Sequence, residues 1–350
     1  MDKSILILGI ETSCDETSAA VVKDGRTVLS NAIFSQIKEH AVFGGVVPEI
    51  ASRKHVEKII PVVDWAMRQA KLDLRELNAI SVTYGPGLVG PLLVGLSAAK
   101  GLAYALHKPL IGINHIEAHI CANFLAHKEL EPPFIALVVS GGHSHIFLVK
   151  DYGVFELLGK TRDDAAGEAF DKVARATGLG YPGGPKLDAA ARGGNPEAVR
   201  LPITRFREGC EVDFSFSGIK TAALNQLNRE RLRLELKIAD NLPDSYLRDF
   251  YASFQKTVVE MLVENTIKAE REYKTGKIVL AGGVAANSLL RSRMWEETEN
   301  NGETIRFFCP QPELCTDNAA MVASCAFYKY IAGDTAPLTQ NAQPGARLMG

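Results

Sequence analysis

Three segments of the chain share one pattern, in which an apolar stretch suited to a buried strand ends at a turn of small residues. They are ILILGIETSCDETSAAVVKDG (residues 5–25), FIALVVSGGHSHIFLVKDYG (134–153) and GKIVLAGGVAANSLLRSRMWEE (276–297). The first two predict a strand, a turn and a second strand. The third predicts a strand, a Gly-Gly turn and an amphipathic helix. This repeated unit is the main constraint on the fold.

The residues between the first two segments complete the fold class. Residues 48–70 and 92–106 have helical periodicity, and the short apolar strand AISVTY (79–84) separates them. Since strands and helices alternate, the sequence predicts the α/β class. The first two segments resemble one unit used twice, so we expect a duplicated fold of two lobes with a cleft between them.

We place the lobe boundary near residues 108–113. This assigns residues 1–110 and 320–350 to an N-terminal lobe, and residues 111–319 to a C-terminal lobe that carries most of the functional site. The helix after Asp317 is then expected to return to the first lobe. Residues 334–350 are rich in Pro, Gly, Gln and Ala, which predicts a surface tail.

Charge, hydropathy and cysteine spacing narrow the class of protein. The formal net charge is −2, so a nucleic-acid partner would have to meet a local basic patch or a partner protein. The apolar start SILILGI is too short for a membrane span and lacks a cleavage site, which indicates a cytoplasmic protein without a membrane partner. The six cysteines show no C-x-x-C spacing, so we expect reduced thiols.

A histidine pair is the first candidate for chemistry. In GINHIEAHICANF, His115 and His119 are four residues apart, which places both imidazoles on one face of a helix. Glu117 lies about 200° around the axis from each of them and should point away. The zincin pattern H-E-x-x-H needs its glutamate directly after the first histidine. The pair therefore predicts a metal site without the general base of a peptidase, although two core or surface histidines remain an alternative.

Asp317 is a candidate third ligand. It stands just before a run with helical periodicity, where a side-chain oxygen normally caps the helix, so a capping role is the alternative. Two neutral histidines and one carboxylate, with positions left open, are the ligand set of non-haem iron or catalytic zinc. Sequence spacing alone leaves open whether Asp317 reaches the histidines.

Several turns have the composition of a nucleotide site. The turn ETSCDETS (11–18), with Asp15 and Glu16, suits phosphate held by backbone N–H groups, with carboxylates positioning a cation or water. Gly141 and Gly142 in VVSGGHSH let the backbone approach a ligand closely, and AGGVAANSLL opens a helix N-terminus that can receive a phosphate or nucleoside. Asp171 and Asp188 flank a glycine-rich turn and suit ribose hydroxyls, although solvated acids are about equally expected. Together these turns predict a nucleotide in the cleft.

These stretches, taken together, resemble the TsaD family of tRNA adenosine threonylcarbamoyltransferases, earlier described as O-sialoglycoprotein endopeptidases. The matching text is GIETSCDET, GGVVPEIASRKH, TYGPGLVGPLLVG, NHIEAH, VVSGGHSH, DDAAGEAFDKVAR, YPGGPKLD, DFSFSGIKTA, AGGVAANSLLR and CTDNAAMVA, in family order between residues 9 and 325. Departures are small: Ser144 stands where the family commonly has threonine, and Ile219 where leucine is usual.

The resemblance implies a fold and a set of site residues. The fold is the actin-like ATPase fold, which sugar kinases and heat-shock ATPases share. His115, His119 and Asp317 would bind one divalent metal ion, usually iron, with zinc also considered. Asp15 and Glu16 match acidic residues beside the reacting centre and are the candidate catalytic residues. An adenine nucleotide or threonylcarbamoyl-adenylate, with Mg²⁺ as a further candidate ion, would lie against Val138, Val139, Ser140, Gly141, Gly142, Asp171, Gly184, Asp188 and Asn287.

The resemblance also implies a reaction and partners. The threonylcarbamoyl group would pass from threonylcarbamoyl-adenylate to N6 of adenosine 37 in tRNAs that read codons beginning with adenine, with release of AMP. The implied partners are tRNA, the paralogue TsaB, the ATPase TsaE and a separate synthase that supplies the donor. The helix after GGVVPEIASR is the candidate partner surface, because its apolar positions exceed one stripe.

Two other classes of function fit parts of the sequence. A metallopeptidase is suggested by the histidine pair, but the expected direction of Glu117 argues against it. A small-molecule or carbamoyl kinase of the same fold would use the same glycine turns, but it has no use for the His/His/Asp set.

Overall fold

The computed structural model describes residues 4–206, 211–237, 240, 242–300 and 305–348. Within these residues the strands are β1 (Leu6–Glu11), β2 (Glu16–Lys23), β3 (Thr27–Ser35), β4 (Ala79–Gly85), β5 (Leu110–Asn114), β6 (Phe134–Val139), β7 (Ser144–Asp151), β8 (Val154–Lys160), β9 (Lys277–Ala281) and β10 (Arg306–Phe308). Cys210 lies outside the described residues, and the five cysteines within them are free thiols, as expected.

Helices alternate with these strands, which confirms the α/β class. In the described part of the chain they are α1 (Ile37–Ala41), α2 (Pro48–Ala70), α3 (Val89–Leu106), α4 (His115–Ala126), α5 (Ala166–Ala176), α6 (Gly183–Ala190), α7 (Ser217–Arg233), α8 (Asp244–Tyr273), α9 (Ser288–Asn300), α10 (Pro312–Cys315) and α11 (Ala319–Ile331). Short 3₁₀ turns occur at Leu74–Glu76 and Gly283–Ala286.

The first of two compact units comprises Met1–Pro132, Val149–Phe155 and Cys309–Gly350. Its sheet has the strand order β3-β2-β1-β4-β5. β1 pairs antiparallel with β2 and parallel with β4, and β4 pairs parallel with β5. The central strands are almost wholly buried, as expected for a mixed sheet that is covered on both faces.

Helices cover both faces of this sheet. Leu8 and Ile10 of β1 pack in one core with α2 and α3, which contribute residues such as Ile59 and Leu96. Since side chains alternate along a strand, Gly9 faces the opposite side. α11 packs there so closely that a Cβ on Gly9 would lie 2.3 Å from the carbonyl oxygen of Ala319. α11 also packs along α4, so these two helices form one layer on this face.

The division into units differs from the boundaries that the sequence predicted. Residues 111–132 and 309–319 belong to the first unit, so all three predicted metal ligands lie there and not in a lobe formed by residues 111–319. The physical reason is that β5 leads directly into α4, and α4 packs against α10 and α11. The tail beyond α11 lies at the surface, where Gln343 N donates to Tyr84 O and Gly87 N donates to Pro344 O.

The second unit comprises Pro133–Leu148 and Glu156–Phe308. Its sheet has the strand order β10-β9-β6-β7-β8. β6 pairs parallel with β9, and β9 with β10. The long helix α8 packs against β6 and β9 and also contacts α6, α7 and α9. If the five strands of each sheet are numbered from 1 to 5 in chain order, both sheets have the strand order 3-2-1-4-5.

Among the described residues, one helix is long and apolar enough to cross a membrane, namely α3. It packs against α2, β1, β4 and β5 in the first unit. Leu92, Leu96 and Ala99 are buried in that packing.

The close packing of α11 on β1 gives a stability prediction. In Gly9→Ala the new methyl group would meet the backbone of α11, so we expect the free energy of unfolding to fall by about 1–3 kcal/mol. Gly101→Ala in α3 is the matched control, because no atom lies within 4 Å of its added Cβ. It should gain about 0.5–1 kcal/mol from helix propensity. Urea unfolding of the three proteins tests this, and a Gly9→Ala protein as stable as wild type would contradict the described packing.

Candidate metal and nucleotide sites

Helix α4 presents two imidazoles on one face of its first two turns. β5 ends at Asn114, whose side-chain oxygen accepts a hydrogen bond from Ile116 N (2.9 Å) and caps the helix. His115 is therefore the first helical residue, and His119 lies one turn further along the same face. Both imidazoles are buried, with their Nε2 atoms 3.2 Å apart and their ring planes at 77°.

Asp317 joins the two histidines. Its Oδ1 lies 3.5 Å from His115 Nε2 and 3.2 Å from His119 Nε2. The capping role that was the alternative for Asp317 belongs to Asn318, whose side chain accepts a hydrogen bond from Met321 N (3.1 Å) at the start of α11. The structure thus brings together the three residues that the sequence singled out, and all of them lie in the first unit.

The donor set and its dimensions fit a divalent metal ion. Metal–nitrogen and metal–oxygen bonds of about 2.0–2.2 Å place neighbouring ligands roughly 3 to 3.5 Å apart in tetrahedral or octahedral geometry. The three sides of the triangle, 3.2, 3.2 and 3.5 Å, fall in that range. His119 Nδ1 is buried without a hydrogen-bond partner, so its Nε2, which faces the triangle, is the atom that it can offer to an ion. Three protein ligands leave further coordination positions open, as catalytic sites require.

Glu11 lies directly behind His115. It is fully buried, and its Oε2 lies 3.2 Å from His115 Nδ1. Burial alone would lower the pKa of His115, but the carboxylates of Asp317 and Glu11 raise it to about 9. Burial acts to raise the pKa of Glu11, yet the charge of His115 and its hydrogen bond lower it overall. In the sequence, Glu11 stands out only as part of the acidic turn. The sequence feature that could have indicated its role is a carboxylate at the end of a buried strand, because a buried charge needs an oppositely charged or hydrogen-bonding partner.

The two candidate catalytic carboxylates follow β1: Asp15 ends the turn between β1 and β2, and Glu16 is the first residue of β2. Asp15 is buried, and Glu16 Oε1 accepts a hydrogen bond from Ser35 Oγ (3.0 Å). Burial raises the pKa of Glu16 well above its usual value, and the charges of Asp15 and Asp317 raise it further. Glu16 can therefore hold a proton closer to neutral pH than an exposed glutamate.

His55 of α2 holds this turn in place through two hydrogen bonds. Its Nδ1 lies 2.7 Å from Thr17 Oγ1, and its Nε2 lies 2.9 Å from the carbonyl oxygen of Cys14. Both contacts hold when Nε2 carries the proton and donates to Cys14 O while Thr17 donates to Nδ1. His55 was not predicted as a site residue. The sequence feature that could have indicated it is a histidine on the buried, otherwise apolar face of α2.

Glu117 points away from the triad, as helical periodicity predicts. It is buried and pairs with Lys329 of α11 at 3.5 Å. Burial raises the pKa of Glu117, although Lys329 and Cys325 act in the opposite direction. This position excludes Glu117 as the general base of a zincin-type peptidase at the triad.

The second unit contains the Gly-Gly turn after β6. Gly141 and Gly142 are exposed, and a Cβ on either would meet no atom within 4 Å, so the space beside the turn is open. The N-terminus of α5 packs against the turn: a Cβ on Gly167 would lie 2.6 Å from Ser140 O. Ser144 Oγ accepts a hydrogen bond from Ala166 N (3.0 Å) and fixes this approach. The side chains of Val138 and Val139 are buried in β6, which leaves only their backbone atoms to meet a ligand.

The predicted acidic residues of the second unit take part in defined contacts. Asp171 Oδ1 accepts a hydrogen bond from Gly183 N (2.7 Å), which holds the start of α6 beside α5. The next residue, Gly184, borders open space. Asp188 Oδ1 accepts hydrogen bonds from Gln255 Nε2 and Ser288 Oγ, both at 2.7 Å.

Asn287 completes this second cluster. Its side-chain oxygen accepts a hydrogen bond from Leu290 N (3.0 Å) at the start of α9 and lies 3.4 Å from Gln255 Nε2. Asp188 and Asn287 are therefore brought together through Gln255. Gln255 was not predicted from the sequence, because a glutamine inside an amphipathic helix carries no distinguishing pattern.

Comparison with solved structures shows the class of fold. Full-length HypF in its phosphate- and nucleotide-bound form matches 95% of this chain with a TM-score of 0.60 at 16% sequence identity. This chain covers 46% of the HypF chain. At that identity the likeness shows a shared two-sheet α/β fold, and the triad within it defines a candidate metal-binding protein.

Comparison of sequences identifies the family. The family model for TsaD, tRNA N6-adenosine threonylcarbamoyltransferase, matches residues 27–324. Proteins of that name from Clostridium kluyveri and Clostridium botulinum are 55% and 58% identical to this chain over 348 residues, which is 99% of this chain and of each relative. The chain belongs to the TsaD family. It is accordingly a transferase that modifies tRNA.

The triad gives a direct test of metal binding. His119→Ala and Asp317→Ala each remove one ligand, so we expect a loss of Zn²⁺ or Fe²⁺ affinity beyond the roughly 10–100-fold that loss of an outer hydrogen-bond partner costs. Glu117→Gln is the matched control, since its side chain lies on the opposite side of α4 and should leave affinity unchanged. Elemental analysis and chelator competition measure both. Equal metal content in wild type and Asp317→Ala would exclude Asp317 as a ligand.

Proposed function

We propose that this chain transfers the threonylcarbamoyl group of threonylcarbamoyl-adenylate to N6 of the adenosine just 3′ of the anticodon, with release of AMP. The observation that carries the proposal is the convergence of His115, His119 and Asp317 in a chain of the TsaD family. An exocyclic amine of adenine is a weak nucleophile, so catalysis has to align it with the carbamoyl carbon and polarise that carbon. The target base lies in a loop and can be splayed out without breaking a duplex.

The proposed metal is held by His115, His119 and Asp317. Two imidazoles and one carboxylate suit Fe²⁺, the ion expected from the family resemblance, and also Zn²⁺. When bound, such an ion supplies Lewis-acid stabilisation to oxygens of the threonylcarbamoyl group. The protein's part is to present three ligand atoms in one triangle and to leave positions open for the substrate.

The proposed base is one of the two carboxylates at the start of β2, Asp15 or Glu16. The amine loses a proton when its nitrogen bonds to the carbamoyl carbon, and Asp15 or Glu16 would accept it. The raised pKa of Glu16 favours proton transfer near neutral pH. Buried Asp15 is the alternative base, and it contributes to the shift at Glu16.

The second unit is the proposed site of the adenosine part of the donor. The open space beside Gly141, Gly142 and Gly184 can receive a ligand against backbone atoms of the turns. The carboxylates of Asp171 and Asp188 are the proposed acceptors for ribose hydroxyls. Val138, Val139 and Ser140 would contribute backbone groups, and Asn287 a side-chain amide. Because the donor is an activated acyl-adenylate, the transfer needs no further phosphate cleavage, and a Mg²⁺ ion would accompany ATP rather than the donor.

A duplicated actin-like ATPase fold is the proposed architecture. Its support is the equal strand order of the two sheets, 3-2-1-4-5 in the first and 8-7-6-9-10 in the second, together with the structural match to HypF. We further propose that the protein acts in the cytoplasm, where tRNA and a synthase for the donor would be available.

An exposed apolar surface on α2 and α3 is the proposed docking site for the paralogue TsaB. Val56 and Ile60 of α2 and Val89 and Leu93 of α3 are 43–65% exposed, and we call these four residues the α2–α3 patch. The helices adjoin there, because a Cβ on Gly90 would lie 2.2 Å from Ser52 Oγ. Exposed apolar side chains at neighbouring positions mark a protein interface. TsaE and tRNA are the further proposed partners.

Reconstitution tests the proposed reaction. Wild-type protein, TsaB, TsaE, threonylcarbamoyl-adenylate and unmodified tRNA should yield the modified nucleoside and equal amounts of AMP, both measured by mass spectrometry. His115→Ala should abolish transfer with an unchanged circular dichroism spectrum. Of Asp15→Asn and Glu16→Gln, the one that removes the base should lower kcat about 10²–10⁴-fold, while Asp188→Asn should mainly raise KM for the donor. Transfer by His115→Ala at the wild-type rate would refute the proposal.

The α2–α3 patch gives a separate prediction about assembly. Ile60→Asp places a charge in the centre of the patch and should weaken TsaB binding by about 10-fold or more, since buried unpaired charge is strongly unfavourable. Leu232→Asp is the control, because Leu232 is an exposed apolar residue on α7 of the second unit, 77% exposed against 63% for Ile60. Size-exclusion chromatography and calorimetry measure the complex. Equal TsaB binding by Ile60→Asp and wild type would move the docking site elsewhere.

A further inference from the structure

The carboxylate of Glu11 is surrounded by hydrogen-bond donors. It is fully buried at the end of β1. Its Oε1 accepts a hydrogen bond from Ser13 N (2.6 Å), and its Oε2 accepts one from Thr83 Oγ1 (2.5 Å). The same Oε2 lies 3.2 Å from His115 Nδ1. Glu11 itself is not part of the His/His/Asp triangle.

This arrangement decides which nitrogen of His115 carries the proton when the imidazole is neutral. If Nδ1 carried a lone pair, that lone pair would face the carboxylate oxygen of Glu11, and the two would repel. With the proton on Nδ1, the N–H donates to Glu11 Oε2, and the lone pair is on Nε2. His115 Nε2 is the atom that lies 3.2 Å from His119 Nε2 and 3.5 Å from Asp317 Oδ1.

We propose that Glu11 is a positioning residue of the candidate metal centre, which holds His115 in the tautomer and ring orientation that direct its Nε2 lone pair to the ion. The inference rests on the proposed metal site and goes beyond its three ligands. Hydrogen bonds from the second nitrogen of a ligating histidine orient the ring and raise its basicity. Glu11 would act on the metal only through His115.

The neighbours of Glu11 explain why both terminal atoms of this side chain have to be hydrogen-bond acceptors. Ser13 N, Thr83 Oγ1 and His115 Nδ1 all offer donors, and an ionised carboxylate can accept all three hydrogen bonds. A glutamine has one oxygen and one NH₂ group. If the amide oxygen faces Thr83 and His115, the NH₂ group meets the N–H of Ser13, and a buried donor loses its acceptor. If the amide is flipped, the NH₂ group faces His115 Nδ1, which can accept only when the ring carries its proton on Nε2.

Ser13 is held in place by the turn after β4. Leu88 N donates a hydrogen bond to Ser13 O (2.8 Å), and a Cβ on Gly87 would lie 2.6 Å from the same oxygen. Ser13 Oγ also lies 3.2 Å from His115 Nδ1. The Glu11 carboxylate and the edge of the imidazole therefore lie in a buried polar cluster with Ser13 and Thr83.

The test compares two glutamate-to-glutamine changes on opposite sides of α4. Zn²⁺ affinity is measured by competition with a chromophoric chelator for wild type, Glu11→Gln and Glu117→Gln, with no substrate present. Glu11→Gln should bind Zn²⁺ about 10–100-fold more weakly than wild type. Glu117→Gln should bind within about threefold of wild type, since Glu117 contacts Lys329 and not the triad. Equal affinities for all three proteins would overturn the proposal.

A measurement on the wild-type protein covers the case in which Glu11→Gln does not fold. In Zn²⁺-loaded protein labelled with ¹⁵N at histidine, His115 should show a protonated Nδ1 and a metal-bound Nε2. Metal on Nδ1, or a proton on Nε2, would overturn the proposal. Thr83→Val removes only the hydroxyl donor to Glu11 Oε2 and should weaken Zn²⁺ binding less than Glu11→Gln; a larger loss would place the positioning role on Thr83.

These readouts separate the inference from the proposed function. If wild type binds no Zn²⁺, the metal site itself fails, and the inference fails with it. If wild type binds Zn²⁺ and Glu11→Gln binds it equally well, only the role of Glu11 fails, and the transfer reaction stands.

Discussion

The packing of α11 on β1 and α4 is the constraint on which the candidate metal centre depends. Gly9 allows α11 to approach β1 at backbone distance. That approach places the residue just before the helix, Asp317, within 3.5 Å of two imidazoles that come far earlier in the chain. Asn318 caps the helix, and the carboxylate of Asp317 contacts both histidines. The triangle is thus a consequence of helix packing.

The charge balance around this triangle favours a cation. Glu11 and Asp317 both contact His115, while Asp15 and Asp317 raise the pKa of Glu16 through their charges. Several carboxylates near two imidazoles in a largely buried setting are stabilised by a divalent ion, which would be the largest local charge. The same acids explain why the pKa of His115 is raised despite its burial. Metal binding and the proton state of this site are therefore linked.

The sequence predicted the local features of the site and missed the contacts between distant segments. Helical periodicity gave both the common face of His115 and His119 and the opposite direction of Glu117, which pairs with Lys329. By contrast, the contacts of Glu11 with Thr83 and His115 arise only through packing between separate elements. The same holds for the contacts of His55 with Thr17 and of Gln255 with Asp188. The unit boundary also differs from the predicted one, because α4 packs against α10 and α11 and so joins the first unit.

The sequence by itself determined the α/β class, the alternation of strands and helices, the histidine pair and the glycine turns. These follow from local rules, since a 3.6-residue period, a cap or a Gly-Gly turn is set by residues a few positions apart. Only the tertiary structure decided that Asp317 meets the histidines, that Glu11 lies behind His115 and that Asp188 meets Ser288 through α6 and α9. Such meetings depend on how whole helices and sheets pack, and no short stretch of sequence encodes that packing.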